Sequence, residues 1–278
     1  MGSLHLHMLY NSANQLRNIW WVASFFALLA LTLAPLILLS ATYGFDIEIW
    51  HQVLLIVSVS LLCQALRRRP LLEFLGKLDA DWAKHLLWGL IIGALLMALP
   101  ALVLRLFDLV QWQFTNVPLA ALVPGIFVMI GVVLAEEFLF RGFIFQRLLD
   151  GFGTWPAQLI IAGLFLLTHL NNPEMTGTVR TLASVNIFIA SLLFGIAYIK
   201  TKRLGMPIGI HFMANITQGT LLGFGVSGEK EVSLLTPSFT TDADWLTGGA
   251  FGLEGSLVGL VTLTLTIILL YVREPNPG

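Results

Sequence analysis

Long apolar stretches, separated by short polar breaks, run through almost the whole chain. Eight of them approach or exceed membrane-crossing length: roughly residues 19–41, 47–66, 84–107, 118–148, 155–171, 183–200, 206–224 and 251–272. A hydrocarbon core about 30 Å thick takes about 20 residues of helix, so the pattern predicts an all-α, polytopic membrane bundle. Each run is apolar all round, as expected for helices facing lipid, neighbours, or both. Within 118–148, Pro124 is placed to open the regular helix. The first run exceeds the core of a cleavable signal peptide and reads as a retained signal anchor. The stretch 206–224 is the least apolar, being rich in Gly, His and Asn.

Composition agrees. Of 278 residues, 57% are hydrophobic and 11% charged, with mean hydropathy +0.85. A soluble fold of this length could not hide so much apolar surface. The chain therefore reads as one membrane-embedded domain, residues 1–278, in an integral multi-pass protein. Its compactness suggests a prokaryotic plasma membrane. A net charge of −1 and the lack of a basic run give no basis for a nucleic-acid partner; membrane lipids are the expected surroundings. With Cys63 as its only cysteine, the chain has no intrachain disulfide.

The positive charges orient the bundle. With eight spans and the N-terminus inside, twelve of the fifteen Lys and Arg residues fall inside, leaving Arg105, Arg180 and Lys230 outside. Both termini are then cytoplasmic, and the polar linker 225–250 is an extracytoplasmic loop. Arg67, Arg68 and Arg69 read as a topology anchor. Most tryptophans lie near predicted interfaces, as an aromatic belt would. His5 and His7 read as a tail, and Arg105 is placed to pair with Asp108 at the end of the third span.

Ionisable groups at membrane depth cost several kcal/mol unless paired or wetted. Three clusters stand against that cost. In "AEEFLFRGF", Glu137 and Arg141 are four apart on one helix face and can pair. Glu136 lies about 100° around the axis and does not share that arginine equally. The fifth run ends in "FLLTHLNNP", with Phe165 four before His169. Glu136 and His169 flank the turn "DGFGTW" nearly symmetrically. Two helices folded about that turn would bring both to the same level, about 20 Å along the hairpin. The seventh run carries "HFMAN", with His211 and Asn215 again four apart. Their depth matches Glu136 only roughly. A tilt, or a non-helical stretch around Gly205–Pro207, would close the gap.

Each cluster alone has a structural reading: an ion pair with a spare carboxylate, a packed histidine, interhelical hydrogen bonds. Together they describe a site converging on a cavity toward the cytoplasmic half. A carboxylate in a low-dielectric site can serve as general base, and with His169 Glu136 could deprotonate a water. His211 and Asn215 could donate to the oxyanion formed when that water attacks a peptide carbonyl.

The three motifs, in this order and on membrane runs, resemble those of the CPBP intramembrane proteases, the CAAX-protease and bacteriocin-processing or Abi family. "EEFLFR" fits EExxxR, "FLLTH" fits FxxxH and "HFMAN" fits HxxxN, within a core from about 118 to 224. The resemblance implies an intramembrane peptidase with Glu136 and His169 activating water and His211 and Asn215 binding the oxyanion. Glu137 and Arg141 would support them. The family has also been labelled metal-dependent; the expectation from these residues is a glutamate-activated water with no cofactor. It implies a membrane-associated peptide or lipidated protein as substrate. The prenyl-protein members remove three residues after an isoprenylated cysteine, but nothing in this chain identifiably recognises a prenyl group.

Three other readings compete. Two histidines and a glutamate could hold Zn²⁺ with an open position, although the compact HExxH helix is absent. "GVSG" at 225–228 has the look of a serine-protease signature, but no histidine follows His211 to serve it. Buried Glu, His and Arg also occur in non-catalytic immunity or scaffold proteins and in transporters; no inverted repeat with paired broken helices supports transport.

Overall fold

The computed structural model describes residues 8–272. The expectations attached to His5, His7 and Arg273 fall outside the described residues. Helices α1 (Asn18–Tyr43), α2 (Ile49–Leu66) and α3 (Ala80–Leu106) come first. A continuous helical run follows, made of α4 (Val123–Glu137), a π-helical turn (Phe138–Gly142) and α5 (Phe143–Phe152). Then come α6 (Thr154–His169), α7 (Gly177–Thr201), α8 (Gly205–Asn215) with a second π-helical turn (Ile216–Leu221), and α9 (Leu257–Val272).

Five of the described helical elements are long and apolar enough to cross a membrane: α1, α2, α3, the run Leu119–Phe152, and α7. Helices α6 and α9 are apolar but have only 16 residues each. The stretch expected at 206–224 is an 11-residue helix that passes into the π turn. Pro124 lies in the first turn of α4, where its missing N–H has no intrahelical partner to lose. Helix α7 is the centre of the bundle. Over its most apolar window 56% of residues are buried, against 6% for α1, which turns almost its whole apolar surface outward.

The all-α expectation needs one correction. Strands β1 (Val110–Phe114) and β2 (Leu235–Phe239) form a two-stranded antiparallel ribbon, with Val110 opposite Phe239 and Phe114 opposite Leu235. "VQWQF" alternates apolar and polar positions, the period of a strand, and directly follows a helix whose apolar run masks it. Trp112 Nε1 donates to the Leu222 carbonyl at 2.8 Å, and Thr115 Oγ1 to that of Ser233 at 2.6 Å. The linker 225–250 is therefore fastened to the end of α3 instead of trailing free.

Helices α3 and α8 pack backbone against backbone. Gly89 on α3 meets Gly209 on α8, while Gly93 lies against Ile210 and Ala214 and Gly205 against Trp82 and Leu86, so two Gly-x-x-x-Gly stretches pass each other one turn out of step. A Cβ on Gly89 would strike the Met206 carbonyl, and one on Gly93 that of Ile210. Without a hydrophobic drive between helices in lipid, such backbone contact is what van der Waals association requires. Polar groups lock the seam at one end. Asp79 caps α3 by accepting from Trp82 N at 3.0 Å, and its carboxylate holds the Arg203 guanidinium at 2.8 and 3.2 Å.

Candidate active site

The hairpin that carries Glu136 and His169 folds at Gly153, whose φ of +81° suits glycine and lets α6 run back along α4 and α5. His169, 16 residues on, returns to the level of Glu136. Its Nε2 lies 3.9 Å from Glu136 Oε1. From the other side, α8 brings His211 Nε2 to 3.7 Å from Glu136 Oε2. The non-helical stretch anticipated around Gly205–Pro207 is not found, because α8 is helical from Gly205 onward; His211 comes level with Glu136 through the packing of the helices.

The two imidazoles are held differently. His169 Nδ1 is 2.7 Å from the carbonyl of Phe165, one turn back. A carbonyl can only accept, so Nδ1 carries a proton and Nε2 faces Glu136. This gives the Phe in F-x-x-x-H a backbone role. His211 Nδ1 is 2.9 Å from Glu137 Oε1. A ring that donates to Glu137 presents Nε2 to Glu136.

Glu137 and Arg141 pair as expected, with Arg141 Nη1 at 3.2 Å from Glu137 Oε1 and both side chains fully buried. Sequence reading did not find the rest of their surroundings. Arg141 Nη2 donates to Ser191 Oγ at 2.8 Å. The guanidinium lies 4.7 Å from the Phe165 ring centre and 4.9 Å from that of Phe194, so two aromatic faces share its charge. Phe194 also stacks on His211, centroids 4.8 Å apart and planes at 15°. Ser191 and Phe194 sit three apart on α7, where a serine and a phenylalanine in an apolar helix give no distinguishing signal.

Asn215 is 5% exposed, and its Nδ2 contacts the soft acceptor Sδ of Met129 at 3.2 Å. The structure thus brings together Glu136, His169, His211 and Asn215 as linings of one cavity of about 380 Å³. Glu137 and Arg141 lie behind that lining, within the protein. Both glutamates precede one π turn and Asn215 precedes the other. Such turns widen a helix locally and recur at functional sites.

The cavity's direction differs from expectation. It rises from Glu136 past Val132 and Val128, and is also lined by Asn172, Ser227, Glu229 and Glu254. These residues belong to the end of the bundle opposite Arg147 and Arg203, not to the Arg-rich end that sequence reading favoured. Depth counted from the Arg-rich ends of the helices says where the residues sit, but not which way the space between them opens.

Residues 118–217 match the family model described as Type II CAAX prenyl endopeptidase Rce1-like. The motif-bearing core is thus similar to the Rce1-like family. That match covers the EExxxR, FxxxH and HxxxN segments and stops short of α1–α3 and α9. Comparison with curated proteins and with solved structures gives no match. The Rce1-like family is a protease family, which supports a peptidase, and the apolar helices support an integral membrane protein.

A metal reading asks whether the donors of this core fit an ion. Zinc ligands converge on one point about 2 Å from each. Among the described residues no group of three or more His, Cys, Asp or Glu side chains is so disposed. The two histidines address different oxygens of Glu136, so no step is derived through a metal. Ser227 lines the cavity but gives its Oγ to Glu254 Oε2 at 2.8 Å, not to a histidine.

Proposed function

We propose that this chain is an intramembrane endopeptidase that hydrolyses a peptide bond of a membrane-associated peptide or lipidated protein with a water activated by Glu136 and His169. The observation that carries the reading is the placement of the Glu136 carboxylate between two imidazole Nε2 atoms, 3.7 and 3.9 Å away, in the cavity. Those spacings are too long for direct hydrogen bonds and suit a bridging water. Glu136 takes a proton from the water as its oxygen attacks the carbonyl carbon. The resulting oxyanion accepts from Asn215 Nδ2 and, when His211 is protonated on both nitrogens, from His211 Nε2. The proton held by Glu136 then passes to the departing amine as the C–N bond breaks. Glu137 orients His211, and Arg141 balances the charge of Glu137.

The charge pattern supports eight membrane segments with both termini cytoplasmic, in a prokaryotic plasma membrane, with the short α6, α8 and α9 completing the set. Metal-free chemistry belongs to this proposal; a zinc-dependent protease or a non-catalytic immunity or scaffold protein are its rivals. Proteomic comparison of membranes carrying the wild-type chain with those carrying Glu136→Ala tests it. Cleaved termini present only with the wild type are expected. Identical sets of termini would overturn the reading.

A further inference from the structure

Four carboxylates line the cavity, Glu136, Glu229, Glu231 and Glu254, with the two imidazoles set against Glu136; among the described residues no Lys or Arg lines it, although Lys230 stands between two of the glutamates in sequence. None of Glu229, Glu231 and Glu254 forms an ion pair among the described residues. Glu231 is half-buried in the loop above α4, and burial pushes its carboxyl above the usual range; a cation arriving beside it would favour its charged form.

A second, separate feature points the same way. Asn186 on α7 lines the cavity, is 3% exposed, and spends its Nδ2 on the Ser256 carbonyl at 3.2 Å. Its Oδ1 takes no hydrogen bond from the described residues and is an acceptor left for a ligand donor. The remaining walls are apolar, with Leu96, Val128, Ala190 and Leu263 among them. A slot with low-dielectric walls and charge of one sign concentrates its field, attracting cations and repelling anions.

We propose that this cavity selects peptide segments carrying a positive charge near the bond to be cut, held at the mouth by Glu229, Glu231 and Glu254 while apolar residues occupy the walls. This rests on the reading of Glu136 as the hydrolytic base. On the topology given by the positive charges, the mouth faces the extracytoplasmic side, where the segment would enter.

Binding measured apart from turnover tests this. Labelled apolar peptides, alike except for a Lys-Arg or a Glu-Glu pair and each with an amide or a free-acid C-terminus, are titrated by fluorescence anisotropy. The protein is the full chain in nanodiscs, carrying Glu136→Gln. The Lys-Arg amide should bind about tenfold or more tighter than the Glu-Glu free acid at low salt, with the gap narrowing as salt rises. Adding Glu229→Gln, Glu231→Gln and Glu254→Gln together should erase the gap while apolar binding persists; glutamine at 254 keeps an acceptor for Ser227. Equal affinity for all four peptides, or a gap untouched by the three substitutions, would overturn the proposal. Charge selection by a chain that cleaves nothing would retain the cation site and remove the hydrolase reading instead.

Discussion

His211 and Glu137 are joined across the bundle by a 2.9 Å hydrogen bond, on the carboxylate oxygen that also accepts from Arg141. This changes what the second glutamate of the motif does. Glu137 fixes the tilt of the imidazole that faces Glu136, and Arg141 pairs with Glu137 where both are closed to solvent. The pair is part of the positioning of His211 as well as a structural ion pair.

Removing Glu137 should therefore cost both fold and turnover. Glu137→Ala leaves the Arg141 charge buried and unpaired, a loss of about 3–5 kcal/mol of stability. Glu137→Gln should keep more of the fold but release His211. The expected result is a fall in kcat of about 10-fold or more with KM little changed. Thermal unfolding in detergent, read beside steady-state kinetics, separates the two effects.

Glu136→Gln should behave in the opposite way. Among the described residues Glu136 has no hydrogen-bond partner within 3.5 Å, and the imidazoles pair with it at 3.7 and 3.9 Å. Turnover should fall by about 10²–10⁴-fold, as for loss of a general base, with the thermal midpoint unmoved. Full activity in both Glu136→Gln and His169→Ala would end the hydrolase reading.

The glycine seam should tolerate almost nothing. Gly93→Val puts side-chain atoms where the Ile210 carbonyl lies, one residue before His211. The expected cost is about 1–3 kcal/mol of overpacking, together with lost activity from a displaced imidazole. Gly163 on α6 has open space around it, so Gly163→Ala should leave both unchanged. Equal behaviour of the two variants would show that close approach of α3 and α8 does not set the site.

The Asp79–Arg203 clamp should survive deep into acid. The hydrogen bond from Arg203 holds the Asp79 carboxyl down at about 2, against an ordinary 3.8. A carboxyl whose value falls on folding stabilises fully above the ordinary value and stops doing so as pH drops through the folded one. The melting difference between wild type and Asp79→Asn should hold steady above about pH 4 and shrink toward pH 2. A difference that vanished near neutrality would point to another group.

Chelation should not abolish peptide cleavage, and purified chain should carry no stoichiometric zinc. Cleavage assays after exhaustive chelation, with elemental analysis of the same sample, decide this. One tightly held zinc per chain whose removal stops the reaction would establish the metalloprotease alternative.

Much of this site was legible in the sequence because its logic is local. Charges four apart on a helix must share a face, so Glu137 and Arg141 could be paired without coordinates. Two residues equidistant from a glycine turn must come level if both flanks are helical, and Glu136 and His169 do. The apolar runs likewise settle the helical membrane class, because backbone groups in lipid must be satisfied within their own segment.

Other features were less accessible for different reasons. The Gly-x-x-x-Gly stretches at 89–93 and 205–209 were visible as spacing, but nothing in either says that it meets the other. The period-two alternation of "VQWQF" was present, yet five residues beside a long helix are too few to outweigh it. Ser191 and Phe194 carry no signal, since their importance is the arrival of Arg141 and His211 from other helices.

By itself the sequence determined the helices, their polarity, and which side chains could not rest in lipid unpaired. Only the tertiary structure decided that His211 belongs to Glu137 through one nitrogen and to Glu136 through the other. It also decided that the cavity opens away from the arginines, onto three further glutamates. The physical reason is that helical periodicity fixes a residue's face and height within its own helix. Which nitrogen meets which oxygen, and where the space between helices opens, depends on how closely several backbones approach, and glycines beside His211 set that approach for α3 and α8.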